Sequence, residues 1–192
     1  DGKINLPCAP QIVEAGIQHV VIGMLDPNPK VSGNGINYLI SKGVKVSYGI
    51  LENECLELNR FYCHQFISKT PYLILKSAVS LDGCVATSNG SSQWITNENL
   101  RAQVHQLRSV VDAVLVGSNT VIADNPSLTV RLTHGRNPKR IILDSSLKTP
   151  IESNVYQDEF KHLTYVLTSK HADPEKIKTL SDAGETEASI LE

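Results

Sequence analysis

The order of short apolar runs and amphipathic stretches constrains this chain more than any other feature. HVVIGML reads as a buried strand ended by the loop DPNP, where each proline removes a ladder donor and biases its predecessor towards extended backbone. Before it, PQIVEA reads as a short helix stopped by Gly16. After it come a helix, GINYLISKG, closed by Gly43, the strand VKVSYGI, and LENECLELNRFYCHQF as one helix with Leu51, Cys55, Leu58 and Tyr62 on a single face. Strand, helix, strand, helix is the order of a parallel sheet with covering helices, which places the chain in the α/β class.

SKTP at 68–71 reads as a linker, and the pattern then restarts. YLILKSAV is expected as a strand, SLDG as a turn and CVATSNGSS as a second short strand entering a glycine turn. A helix from about Asn97 to Val110 follows, then strand DAVLVG, the short helix NTVIAD, an irregular DNPSLTVR, strands KRIILD and HLTYVLT, and a helix opened by Pro174. The chain therefore divides into residues 1–69 and 70–192, each an α/β unit. No internal repeat interrupts them.

Charge and length exclude several functions. With a net charge of -2 and 20% charged residues, the chain has no electrostatic footprint for nucleic acid. Its longest apolar runs are far too short to cross a bilayer, and the expected location is the cytoplasm. Cysteines at 8, 55, 63 and 84 have no short paired spacing, so neither a disulfide framework nor a self-contained zinc finger is indicated. Cys55 and Cys63 read as core thiols.

Chemistry is denser in the second half. On the helix after Trp94, Leu100, Val104, Leu107 and Val111 share one face while Arg101, His105 and Arg108 share the other. Spacing alone makes the cationic face a solvated one, with anion binding as the alternative. Trp94 in SSQWIT is either a core anchor or a platform for a ligand. NTVIADNPSLTVR crowds Asn119, Thr120, Asp124, Asn125, Thr129 and Arg131 around Pro126, and loops after parallel strands are where such folds take ligands. In VSGNGINY, Gly33 and Gly35 only begin a dinucleotide fingerprint, since Tyr38 stands at the third glycine position, and they read as turn residues. The histidines at 19, 64, 134, 162 and 171 have no partner at a telling spacing.

Taken in their order and spacing, EAGIQHVVIGMLDPNPKVSGNGINYLISKGVKVSYGILENECLELN, PYLILKSAVSLDGCVATSNGSSQWITN and LRSVVDAVLVGSNTVIADNPSLTVR resemble the RibD/RibG family of bifunctional riboflavin-biosynthesis deaminase/reductases. The resemblance runs from about Pro7 to Pro150. It implies the C-terminal part of a cytidine-deaminase-like three-layer domain, followed by most of a dihydrofolate-reductase-like domain. The deaminase would remove the exocyclic amine of a diaminopyrimidinone ribosylamino phosphate. The reductase would use NADPH to convert the ribosyl group of 5-amino-6-(5-phosphoribosylamino)uracil to ribityl. A small-molecule substrate and a homo-oligomer are implied with it.

Carried over by position, the resemblance assigns Ala78, Trp94, Thr120, Asp124 and Ser145 to NADPH, and Ser92, Arg108, Leu128 and Arg131 to the phosphorylated substrate. Arg108 is favoured as a phosphate ligand because a guanidinium can pair with two phosphate oxygens. Lys76 is a candidate catalytic group that handles a proton near the nicotinamide. Arg101 and His105 keep the solvated reading, and Cys84 receives no role.

The same resemblance makes Cys8 the second cysteine ligand of the deaminase zinc, although GKINLPC is one residue longer than the usual stretch. The first cysteine and a His-x-Glu element would precede Asp1, and one thiolate cannot build a tetrahedral site. At the other end, SILE stops before the family's substrate-side glutamate and its glycine-rich cofactor loop. The expectation is an internal piece of a longer enzyme that by itself holds no zinc, does not deaminate and binds NADPH weakly. Two alternatives stay open: a reductase with a degenerate deaminase domain, and a nucleotide-binding module without turnover.

Overall fold

The computed structural model describes residues 7–182 and 187–191. The chain forms two compact units, Asp1–Lys76 and Ser77–Glu192.

In the first unit, helix α1 (Cys8–Glu14) precedes strand β1 (His19–Ile22), helix α2 (Asn34–Ser41) and strand β2 (Lys45–Tyr48). β1 and β2 pair in parallel, with His19 opposite Lys45 and Ile22 opposite Tyr48. Gly33 takes φ 73°, the left-handed conformation that a residue with a Cβ avoids, and it stands where the loop turns into α2. That is the turn role expected of it. At the end of β1 the backbone passes so close to the Cys55 sulfur that Gly23 has no room for a Cβ.

The single helix expected over 51–66 is two, α3 (Glu52–Leu58) and α4 (Arg60–Ile67). Asn59 separates them. Its side-chain amide donates to the Cys55 carbonyl at 2.8 Å, a local bond that competes with helix propagation. The packing face also differs from the expected one: Leu51 and Leu58 are exposed, and Cys63 is the residue buried.

In the second unit, helix α5 (Glu98–Val110) leads into strand β3 (Ala113–Gly117) and helix α6 (Ser118–Asp124). Strand β4 (Lys139–Leu143), helix α7 (Asn154–Gln157), a single 3-10 turn at Lys161–Leu163 and strand β5 (Thr164–Ser169) follow, then helix α8 (Pro174–Asp182) and strand β6 (Glu187–Leu191). The four strands form one sheet in chain order, with each neighbouring pair parallel. α5 starts where Asn97 caps it, the Asn97 side-chain oxygen accepting the Leu100 N–H at 3.0 Å.

Two expectations for this unit are corrected. YLILKSAV and CVATSNGSS form no strands; residues 71–80 carry no regular secondary structure and have no ladder partner among the described residues. An isolated run of strand-forming residues gains no hydrogen bonds by extending, so β propensity alone does not make a strand. The cationic face of α5 is also not the solvated one expected: His105 is the helix's buried residue and Arg101 and Arg108 are half-buried, as Val104 and Leu107 are, while Leu100 is exposed.

The core of the unit gathers Val121, Leu128, Ile142, Leu147, Val155, Tyr156, Val166, Ala172 and Leu180. Burial alternates along β5, and one face of β4 and β5 carries Arg140, Ile142, Thr164, Val166 and Thr168, all buried. Arg140 is 1% exposed. Its guanidinium donates to the Thr164 hydroxyl at 2.9 Å, the Ser127 carbonyl at 2.9 Å, the Asp158 carboxylate at 2.7 Å and the Val155 carbonyl at 2.8 Å. Replacing Arg140 with Ala takes the counter-charge from the Asp158 carboxylate and a donor from the Ser127 carbonyl, while the Val155 carbonyl keeps the Thr164 hydroxyl at 2.7 Å, and the change is expected to lower unfolding free energy by about 3–5 kcal/mol. Urea unfolding of the purified variant checks this, and a loss below about 1 kcal/mol would contradict it.

Candidate functional site

Two groups of polar side chains form in the second unit. The first lies at the carboxyl ends of β3 and β4. Because Gly117 and Leu143 are in register, the segments that leave these strands emerge at the same edge of the sheet. Ser118–Thr120 opens α6 there, and Asp144–Ser145 opens the turn after β4.

Asp144 is 1% exposed and shapes that turn. Its carboxylate accepts the backbone N–H groups of Lys148 at 3.1 Å and Thr149 at 2.8 Å, and the Thr149 hydroxyl at 2.8 Å. The Thr149 hydroxyl meets the Tyr156 hydroxyl at 2.8 Å, and burial is the main cause that raises the Tyr156 pKa. Ser145 is exposed, while its carbonyl accepts the Thr168 hydroxyl at 3.2 Å and the Ser169 hydroxyl at 2.9 Å, which ties it to the end of β5. Lys148 reaches across to the Asn119 side-chain oxygen at 2.7 Å, linking the two strand ends.

The second group forms around the loop between α6 and β4. Asn125 ends α6 in the left-handed conformation at φ 41°, and its side-chain oxygen accepts the Asn154 N–H at 2.8 Å. Leu128 is also left-handed, at φ 56°, and only 4% exposed. For a leucine this backbone costs roughly 1–3 kcal/mol, which burial of the side chain, at roughly 1.5–3 kcal/mol, is able to offset. With its side chain in the core, Leu128 can meet a ligand only through its main chain.

Around Leu128, the residues from Ser127 to Arg131 are bonded at successive positions. Arg140 holds the Ser127 carbonyl, and the Asn137 side-chain oxygen accepts the Val130 N–H at 2.7 Å. Arg108 donates to the Thr129 carbonyl at 3.2 Å, and Arg131 donates to the Thr129 hydroxyl at 2.9 Å. The two guanidiniums therefore converge on one buried threonine. Neither forms an ion pair among the described residues. Burial first, and the charge of Arg131 second, lower the Arg108 pKa, as expected of a cation short of a counter-charge.

Of the residues expected to act, the structure thus gathers Arg108, Leu128 and Arg131 at the loop and sets Thr120 and Ser145 on the carboxyl edge. Asp124 lies at the far end of α6, next to the loop. Trp94 is 70% exposed, so it is not a core anchor; the Arg101 guanidinium stacks on its ring at 4.4 Å. Ser92, half-buried, lies two residues before it. Ala78 is half-buried and Lys76 exposed on the irregular stretch 71–80, and neither carries a described bond to the loop or the edge. His105, Asn137 and Arg140 were not anticipated in these roles. Only His105 had a legible signal, its helical spacing from Arg108.

Cys8 is exposed at the start of α1, and among the described residues no group of three or more His, Cys, Asp and Glu side chains could hold a metal. The described residues therefore do not compose a zinc site. No helix among the described residues is long and apolar enough to cross a membrane.

Parallel strands whose exit segments present polar groups at one edge, beside a loop where two guanidiniums lie without an ion pair among the described residues, define an α/β domain with a candidate ligand site at that edge. The profile of the RibD C-terminal domain family matches residues 71–191, and the chain belongs to that family. The riboflavin biosynthesis protein RibD of Actinobacillus pleuropneumoniae is 41% identical over 178 residues, covering 93% of this chain and 47% of that protein. That of Aquifex aeolicus is 43% identical over 179 residues, covering 93% and 49%. The crystal structure of a diaminohydroxyphosphoribosylaminopyrimidine deaminase/5-amino-6-(5-phosphoribosylamino)uracil reductase from Thermotoga maritima superposes with a TM-score of 0.82 at 38% identity, covering 100% of this chain and 52% of that one. Acinetobacter baumannii RibD gives 0.79 at 32% identity. The chain spans about half the length of the curated relatives it matches.

The Asp144 turn gives a direct check on the edge. Asp144→Ala removes an acceptor from three donors and is expected to cost roughly 3 kcal/mol in urea unfolding, with faster hydrogen exchange at the Lys148 and Thr149 amides. Unchanged exchange at both amides would show that another group holds the turn.

Proposed function

We propose that the second unit is the reductase of a riboflavin-forming enzyme, which reduces the ribosyl group of a phosphoribosylaminopyrimidine to ribityl with NADPH. The observation that carries this is the convergence of Arg108 and Arg131 on Thr129 without a carboxylate partner among the described residues. Two such guanidiniums suit a phosphate, which accepts several charge-assisted bonds at once. The name of the Thermotoga maritima relative carries a phosphoribosylamino group as reductase substrate, which agrees with a phosphate-binding pair here.

In this reading Arg108 and Arg131 hold the 5-phosphate, while the main chain of Leu128 and the Ser92 hydroxyl border the sugar. Thr120 and Ser145 at the carboxyl edge, with Asp124, Ala78 and Trp94, hold NADPH. When bound, the cofactor supplies a hydride to the anomeric carbon of the opened ribosyl group, and a proton adds to the attached nitrogen. Lys76 is assigned to that proton. Anchoring the phosphate fixes the register of the carbon that receives the hydride, so the arginines contribute through position and not through bond-making. The first unit is assigned to the C-terminal part of the deaminase domain of the same cytoplasmic, homo-oligomeric enzyme.

In the full-length protein, Arg108→Ala is expected to raise KM for the phosphoribosyl substrate ten- to roughly hundredfold while leaving KM for NADPH within about twofold, as befits a charged hydrogen bond worth about 1.5–3 kcal/mol. Steady-state kinetics from NADPH absorbance read both constants. An unchanged substrate KM would remove Arg108 from the site, and saturable binding without any NADPH oxidation would leave a nucleotide-binding module without turnover.

A further inference from the structure

α5 carries a second group to the same loop. His105 lies three residues before Arg108, is 6% exposed, and accepts the backbone N–H of Arg131 on its Nδ1 at 3.0 Å. An amide only donates, so this bond requires Nδ1 to be free of a proton. The charged groups acting on the imidazole are the guanidinium of Arg108, from its own helix, and that of Arg131, from the loop. Both are cations, and no carboxylate acts with them to stabilise an imidazolium.

We infer that His105 is a positioning residue for the anion site: its neutral ring fixes the main chain of Arg131, so that the Arg131 guanidinium stands on Thr129 beside Arg108. This rests on the reading of Arg108 and Arg131 as the phosphate-binding pair. The imidazole is spent on the loop backbone and touches no substrate. Without it, the loop loses the one described bond to the Arg131 N–H, and Arg131 is free to swing away from its partner.

A pH dependence follows. Burial chiefly, then Arg108, then Arg131, lower the His105 pKa from 6.5. The neutral ring is therefore favoured in the folded protein, and the bond it makes is fully present above about pH 6.5 and is lost as pH falls through the lowered folded value. Protonation turns both ring nitrogens into donors, and Nδ1 then opposes the Arg131 N–H. Phosphate monoesters themselves titrate near pH 6, so the profile of one protein does not isolate the imidazole. Asparagine does isolate it, because its side-chain oxygen can accept the same N–H and does not titrate.

The test measures equilibrium binding of ribose 5-phosphate to the full-length protein, together with KM for the phosphoribosyl substrate and for NADPH, in wild type, H105L, H105N and R108A. H105L is expected to weaken ribose 5-phosphate binding about tenfold at about pH 7.5, the equivalent of one hydrogen bond, with KM for NADPH within about twofold. H105N is expected to bind within about threefold of wild type, and the ratio of wild-type to H105N affinity is expected to fall on going from about pH 7.5 to about pH 5. If R108A loses binding while H105L matches wild type, the positioning role is overturned and the anion site stands. If R108A binds as wild type does, the anion site falls and the inference with it. An H105N as weak as H105L, or an affinity ratio that is flat with pH, would overturn the acceptor role, and the ratio decides the question even if H105L fails to fold.

Discussion

The second unit depends on the guanidinium of Arg140 more than on any other single group. Set on a buried strand face, it bonds to the neighbouring strand through Thr164, to the α6–β4 loop through Ser127, to α7 through Val155 and to the carboxylate of Asp158. Burying a charge costs several kcal/mol unless every donor finds an acceptor, so the three segments are obliged to meet where the arginine is. Ile142 and Val166 could be satisfied by many packings, whereas Arg140 admits few.

That arrangement reaches the candidate site through the loop. Ser127, held by Arg140, is followed by Leu128 at φ 56°, a conformation that a leucine keeps only when its surroundings fix it. Beyond it, Thr129 receives Arg108 and Arg131, Val130 is held by Asn137 and Arg131 by His105. A loop bonded at successive residues presents its cations at little entropic cost on ligand binding, which is the condition for a phosphate to fix the register of a distant reacting carbon. The carboxyl edge is built differently. There a single buried carboxylate, Asp144, folds the turn and leaves Ser145 exposed beside the start of α6.

Much of this was legible in the chain. Runs such as DAVLVG and KRIILD announced parallel strands, Asn97 announced the start of α5, and the crowding of polar residues around Pro126 announced the loop. What escaped depended on partners distant in sequence. YLILKSAV has strand composition, yet a strand exists only with a neighbour to bond, and none is present among the described residues. β6 was missed because ETEASIL offers little apolar signal of its own and owes its form to pairing with β5. The inward turn of His105 and Arg108 was hidden because a helical wheel that carries apolar residues on one side predicts burial of that side. Here the loop offers acceptors and an amide donor that draw the cationic side inwards. Arg140 gave no sign at all, since an arginine in the second position of a strand, next to Lys139, is ordinarily solvated.

In the proposed reading the loop following α6 holds the phosphate of a phosphorylated ribosyl substrate. A crystal structure of the full-length protein with ribose 5-phosphate and NADPH tests this most directly. Phosphate oxygens are expected within about 3 Å of both the Arg108 and Arg131 guanidiniums, with the sugar directed towards the nicotinamide. A phosphate bound elsewhere, with both arginines still resting on Thr129 and free of ligand, would contradict it.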